Sequence, residues 1–154
     1  MKKLLYGLLL KSGNDCAVAI AEHVSGSVEA FVELMNQEAL ALGATNTHFV
    51  NPHGYHHKDH YTTAYDLYLI FNECIKNELF LQMIAATSYS AVITQSDGGS
   101  RTATWPQSNQ FINGGREVPK GVTLIGGKTG NTFDAGDLSW SWRNSQCCRT
   151  SLSG

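Results

Sequence analysis

Two short groups of residues in this 154-residue chain carry side chains suited to work on a peptide-like substrate. One is Ser12-Gly13-Asn14, and the other is Lys128-Thr129-Gly130 followed by Asn131. A hydroxyl such as that of Ser12 relays a proton, and a carboxamide such as that of Asn14 orients a peptide bond through one donor and one acceptor. Lys128 offers a point charge, Thr129 a hydroxyl, and Gly130 room beside them. That combination suits a substrate ending in a carboxylate and lying extended along a sheet edge. Both groups also have a plain structural reading. Ser and Asn favour helix starts, because their side chains satisfy free backbone N–H groups. Lys-Thr-Gly alone fits a buried strand that leaves the core through a glycine turn, with its lysine in water.

The elements that would hold these residues can be read from local pattern. Val122-Thr-Leu-Ile125 favours an extended chain, and Gly126 and Gly127 remove side chains where a ligand or another backbone approaches. Upstream, Asp15 is followed by a helical run from Cys16 to Val24. Ser27 caps a further helix whose core stripe is Val28, Phe31, Val32, Met35, Ala39 and Leu42, with Gly43 ending it. Thr63 and Asp66 resemble a capping pair at the head of a helix through Leu67, Ile70, Phe71 and Cys74. Glu78 to Ala86 reads as a short helix, and Ser88 to Gln95 as a strand ending at the turn Asp97-Gly98-Gly99. The stretch from Arg101 to Gly115 is expected to be irregular, with Trp105, Pro106 and Asn109 on the surface near the cleft. The fold class is accordingly α/β (α+β): a helical part and an antiparallel sheet.

The remaining chemistry-bearing residues point elsewhere. His53, His56, His57 and His60 crowd the polar loop from Ala44 to Asp59 and its exit, but the pairs lie on irregular chain without converging Cys or carboxylate. They are not expected to hold a metal: His53 and His60 should tie the loop down, with His56 and His57 facing water. Cys16 and Cys74 fall on apolar helical runs, where Cys behaves as a small hydrophobe. Neither they nor Cys147 and Cys148 have paired metal spacing. A net charge of −2 gives no reason to expect nucleic acid or an anionic membrane surface as partner. The run Leu4 to Leu10 follows Lys2 and Lys3 as in a secretory signal, yet contains Gly7 and ends at Lys11 without a small-residue cleavage site. It is too short to span a bilayer, and reads as a buried helix end.

Taken together, Ser-x-Asn on a helical part and Lys-Thr-Gly on a later strand form two thirds of the penicillin-recognising serine enzyme signature. Three longer stretches, residues 4–15, Asn46-Thr-His-Phe-Val-Asn-Pro-His-Gly54 and His60-Tyr-Thr-Thr-Ala64, resemble the D-alanyl-D-alanine carboxypeptidases of serine peptidase family S11. The resemblance runs from about Leu4 to about Gly136. It implies a partial β-lactamase/transpeptidase-like fold, with a helical subdomain and an incomplete antiparallel sheet. The family's Ser-x-x-Lys element is missing: no Ser in the chain has a Lys three positions later. The chain is therefore expected to be a fragment that begins inside the domain, without the nucleophile.

The resemblance further implies hydrolysis of the bond between two terminal D-alanines of a peptidoglycan stem peptide, through an acyl-enzyme that β-lactams also form, with no cofactor or metal. Ser12 would pass a proton to the leaving amine, Asn14 would hold the acyl side's amide, and Lys128 would lend positive charge near Ser12. Thr129 with Lys128 would bind the terminal carboxylate, Gly130 would leave space, and the backbone N–H of Asn131 would be one oxyanion donor. The family works outside the cytoplasmic membrane, whereas no export signal is read in this sequence. Without its nucleophile, the chain alone should not turn over. A β-lactamase-related fragment and a non-catalytic D-Ala-D-Ala-binding module are the other readings. Beyond Gly136, Leu138, Trp140 and Trp142 alternate briefly and Arg143 to Gly154 is polar. The tail 137–154 is expected to be divergent, either out of frame or junction-encoded.

Overall fold

A computed structural model describes residues 1–132 and 136–143, with side chains as far as Gly130. Five helices come first: α1 (Lys2–Lys11), α2 (Asn14–Ser25), α3 (Val28–Ala41), α4 (Ala64–Cys74) and α5 (Glu78–Ala85). Strands β1 (Ser88–Thr94), β2 (Ser100–Pro106), β3 (Leu124–Thr132) and β4 (Gly136–Arg143) follow. Helix starts obey local chemistry. Ser27 and Thr63 each accept a backbone N–H three residues on, from Ala30 and Asp66, and the Asn77 side chain accepts from Leu79 and Phe80.

Asp66 is not the returning half of a capping box. Its buried carboxylate instead accepts from the Asn46 amide at 2.7 Å and the Thr47 hydroxyl at 2.7 Å, tying the long loop to the first turn of α4. Burial pulls the Asp66 pKa upward, but the hydrogen bonds from Thr47, Asn46 and Thr63 outweigh it and hold the group below the ordinary carboxylate value. The histidines fasten the same loop. The His60 ring accepts from the Val50 amide, His53 from Tyr55 and His57 from Asp59, each at 3.2 Å. His48 and Tyr61 form a bridge between the loop's two arms.

The strands make two antiparallel pairs. β1 runs against β2 from Ser88↔Pro106 to Thr94↔Ser100. β3 runs against β4 from Leu124↔Arg143 to Thr132↔Gly136, with a register shift between Leu124 and Gly126. The irregular course expected from Arg101 is thus corrected: Thr102, Ala103, Thr104 and Trp105 extend as β2 because β1 pairs with them. β3 starts two residues later than the apolar pattern indicates and continues through Gly126, Gly127 and Lys-Thr-Gly, since the β4 ladder keeps the glycines extended. The expectations for residues 144–154, including Cys147 and Cys148, lie outside the described residues.

The core joins the first helix to this strand layer. Leu10, Met83 and Tyr6 form its centre, with Leu5, Leu9, Ala86, Tyr89 and Trp105 packed around it. Tyr6 stacks on Tyr89 with ring centroids 3.8 Å apart, and Tyr89 stacks on Trp105 at 6.0 Å. Aromatic pairs of this kind add about 0.5–1.5 kcal/mol beyond the area they bury, so α1 is locked onto β1 and β2. Two glycines permit the closest approaches. A Cβ on Gly7 would stand 2.7 Å from Cys16 Sγ, which brings α1 against α2. A Cβ on Gly126 would stand 2.5 Å from Cγ1 of fully buried Ile84, which brings α5 down onto β3. Both contacts deliver helix ends to the start of the Lys-Thr-Gly segment.

Candidate active site

Ser12 sits at a corner with no loop in it. α1 ends at Lys11, Ser12 adopts the left-handed conformation (φ 54°, ψ 42°), Gly13 caps α2, and Asn14 is the first residue of that helix. Ser12 is the one non-glycine residue with positive φ among those described. This conformation costs an L-residue about 1–2 kcal/mol, offset locally by amide bonds from Ser12 to the Leu8 carbonyl and from Gly13 to the Gly7 carbonyl. The backbone therefore does the capping. Neither α1 nor α2 has a side-chain cap, which corrects the reading of Ser12 and Asn14 as an ordinary helix start. The Ser12 hydroxyl and the Asn14 carboxamide are left exposed.

Lys128 reaches this corner from β3. Its ammonium donates to the Ser12 hydroxyl and to the Thr129 carbonyl. Burial pushes the Lys128 pKa below the ordinary lysine value. Among the described residues no salt bridge pairs it with a carboxylate. Lys128 is therefore a half-buried cation whose described partners are a hydroxyl and a backbone carbonyl. Cys16 lies behind the corner, its thiol pKa raised by burial and by the neighbouring Asp15 carboxylate, which disfavours a thiolate there.

The structure thus brings Ser12 to Lys128 and Thr129, with Asn14 two residues on at the start of α2 and exposed Gly130 next in β3. Asn131 follows in β3 opposite Asp137. Sequence reasoning missed one neighbour. Ser108, in the segment treated as irregular, hydrogen-bonds the Thr129 hydroxyl at 3.0 Å between oxygens. Asn109, expected at the surface, is fully buried, and Trp105 is half-buried in the core. The alternation of β2 ending at Pro106, followed by two amides in Gln107-Ser-Asn109, was the only available signal of an ordered turn.

A family model described as D-alanyl-D-alanine carboxypeptidase, Peptidase_S11, matches residues 1–139. The chain is 36% identical over 133 residues to D-alanyl-D-alanine carboxypeptidase DacB2 of Mycobacterium tuberculosis, covering 85% of this chain and 42% of that protein. To D-alanyl-D-alanine carboxypeptidase DacF of Bacillus subtilis it is 46% identical over 78 residues, 51% of this chain and 20% of that protein. The crystal structure of the Streptomyces K15 DD-transpeptidase superposes with a TM-score of 0.80 at 32% identity, covering 93% of this chain and 56% of that one. The chain spans well under two thirds of the length of each of these proteins.

Proposed function

The chain belongs to the D-alanyl-D-alanine carboxypeptidase family S11, and from that premise we propose that it carries the substrate-binding half of a serine DD-peptidase site. The ligand is a peptidoglycan stem peptide ending in D-Ala-D-Ala, met at the cell envelope, and β-lactams are the corresponding inhibitors of the complete site. The observation that supports this reading is the meeting of Ser12, from the α1–α2 corner, with Lys128 of β3.

Each residue then has a distinct task. The terminal carboxylate is held by Lys128 and the Thr129 hydroxyl, beside the open Gly130. Asn14 pairs with the amide on the acyl side of the scissile bond. In the complete reaction a serine nucleophile attacks the D-Ala carbonyl, and the resulting oxyanion takes one hydrogen bond from the Asn131 amide. Ser12, bonded to Lys128, hands a proton to the leaving D-alanine amine, and water later hydrolyses the acyl ester. These 154 residues contain no Ser-x-x-Lys to supply the nucleophile and its base, so the chain binds the peptide without cleaving it. No metal or cofactor enters this chemistry. The domain is proposed to run to about Gly136. The tail 137–154 is proposed to be out of frame, and a one-base shift in the coding DNA that restores no apolar strand pattern would sink that idea.

The test pairs two measurements on the purified chain. Incubation with a fluorescent penicillin should leave no label after denaturation, while a peptide ending in D-Ala-D-Ala should perturb the Lys128 and Thr129 amide resonances. Covalent labelling would show that a serine within the chain is a nucleophile. Absence of both label and perturbation would remove the half-site reading.

A further inference from the structure

Ser108 lies outside the family's short motifs, yet its backbone N–H is held by a buried side chain. The side chain responsible is Gln107, only 2% exposed. Its backbone N–H donates to Thr87 O at 2.8 Å and its backbone carbonyl accepts from Asn113 Nδ2 at 3.0 Å, while its side-chain Nε2 donates to Ile84 O at 3.4 Å. Its Oε1 turns back to accept from the amides of Ser108 at 3.0 Å and Asn109 at 3.3 Å. Fully buried Asn109 extends the knot by accepting from Phe111 N at 3.0 Å. Burying two carboxamides is costly unless their hydrogen bonds are made. Here both side-chain oxygens are spent on amides of one turn, and the residue that turn presents is Ser108, with its hydroxyl on Thr129 Oγ1 at 3.0 Å.

We propose that Ser108 is a positioning residue for carboxylate recognition: it donates to the Thr129 hydroxyl and so frees the Thr129 proton to point at an incoming terminal carboxylate. The inference rests on the half-site reading above. A free threonine hydroxyl both rotates and donates in several directions. Bonded to Ser108, it is restricted to one rotor position, and the relay Ser108 O–H to Thr129 O–H to carboxylate is polarised in one direction, each bond strengthening the next. A neutral carboxamide end gains less from a polarised donor than an anion does. Ser108 thereby favours a free C-terminus over a capped one, without having to touch the peptide.

The experiment uses the isotopically labelled full chain and two probes: diacetyl-Lys-D-Ala-D-Ala as the free acid, and the same peptide with a terminal carboxamide. Titrations followed at the Thr129 amide give affinities, and three-bond couplings of the unliganded chain report the Thr129 χ1 rotamer. The wild-type chain should prefer the acid by about tenfold, and Ser108→Ala should lose about three- to tenfold of acid affinity with the carboxamide unaffected. Ser108→Ala should also average the Thr129 rotamer, and Ser108→Thr should restore both readouts. Unchanged acid affinity and an unchanged rotamer in Ser108→Ala would overturn the proposal while leaving the half-site intact. A loss that Ser108→Thr does not restore would overturn it as well, in favour of a packing role. A wild-type chain that binds both probes equally, or neither, overturns the half-site reading itself and the proposal with it.

Discussion

The Lys128 ammonium donates to the Ser12 hydroxyl across a sequence separation of 116 residues. Two helices and a strand must be placed correctly for that bond to exist, and the packing around Gly7 and Gly126 places them. The bond holds a serine hydroxyl beside a lysine whose pKa burial lowers.

Because burial holds the Lys128 pKa below that of an ordinary lysine, the unliganded fold gives up this proton at a lower pH than an exposed lysine does. A bound carboxylate favours the ammonium. Affinity for a D-Ala-D-Ala acid should therefore fall with rising pH before an ordinary lysine, near pH 10.4, would begin to lose its charge. Lys128→Met should cost at least about tenfold in affinity, roughly 1.4 kcal/mol, with Tm unchanged or slightly raised. Calorimetric titration over alkaline pH and a melting curve check both. A marked fall in Tm would assign Lys128 a structural role.

Gly126→Ala would put its methyl into Ile84, whose Cγ1, Cδ1 and backbone carbon lie at 2.5, 2.7 and 3.1 Å from the added atom. Ile84 is fully buried and has nowhere to go. Overpacking of this kind costs about 1–3 kcal/mol. Denaturant unfolding should show that loss, and Ile84→Val in the same chain should recover part of it by trimming the branch that carries Cδ1. Equal losses in the single and double variants would mean the clash is with Cγ1 or backbone rather than Cδ1.

The His60 ring can accept the Val50 amide at Nδ1 only while that nitrogen is unprotonated. Burial lowers the His60 pKa, and the neighbouring charges of His53, His48 and His57 lower it further. The unfolded chain takes up this proton near pH 6.5, and the folded one only at lower pH. His60 thus contributes stability in full above about pH 6.5, and that contribution is lost as pH falls through the folded value. Tm measured between about pH 7.5 and pH 5 should decline, and His60→Asn should flatten the slope while lowering the neutral-pH Tm slightly.

Asp66 behaves in the same direction in a more acidic window. Its folded pKa is depressed, so its contribution is present above the unfolded value of about 3.9 and disappears as pH falls through the folded one. Asp66→Ala leaves the Asn46 amide without its acceptor and removes one of the two partners of the Thr47 hydroxyl, the other being Thr62. Tm should drop by roughly 5–10 °C at neutral pH. Amide exchange at Asn46 and Thr47 should accelerate first, before that in α1 or β3.

Much of this was legible in residue pattern. Helices α3, α4 and α5 announce themselves through caps and 3.6-residue stripes, and Ser12, Asn14, Lys128 and Thr129 through their motifs. What stayed hidden depended on partners far away in sequence. β2 forms because β1 pairs with it, although Ser100-Arg-Thr102 lacks an alternating apolar face. Gly126 and Gly127 look like a turn until β4 holds them extended. The Asp66 carboxylate looks like a capping partner until the loop from Ala44 supplies two better donors. Ser108 is marked only by the two amides that flank it, and the buried Gln107 explains how a serine in a loop is held.

The corner at Ser12 and Gly13 has a further implication for how the sequence can drift. With no slack between α1 and α2, the angle of the two helices sets where the Ser12 oxygen lies, and that angle depends on the fit of Gly7 against Cys16. Position 7 admits a larger side chain only if position 16 shrinks in compensation. Relatives should therefore show the two positions changing as a pair, with size traded across the helix contact while the serine between them stays the same.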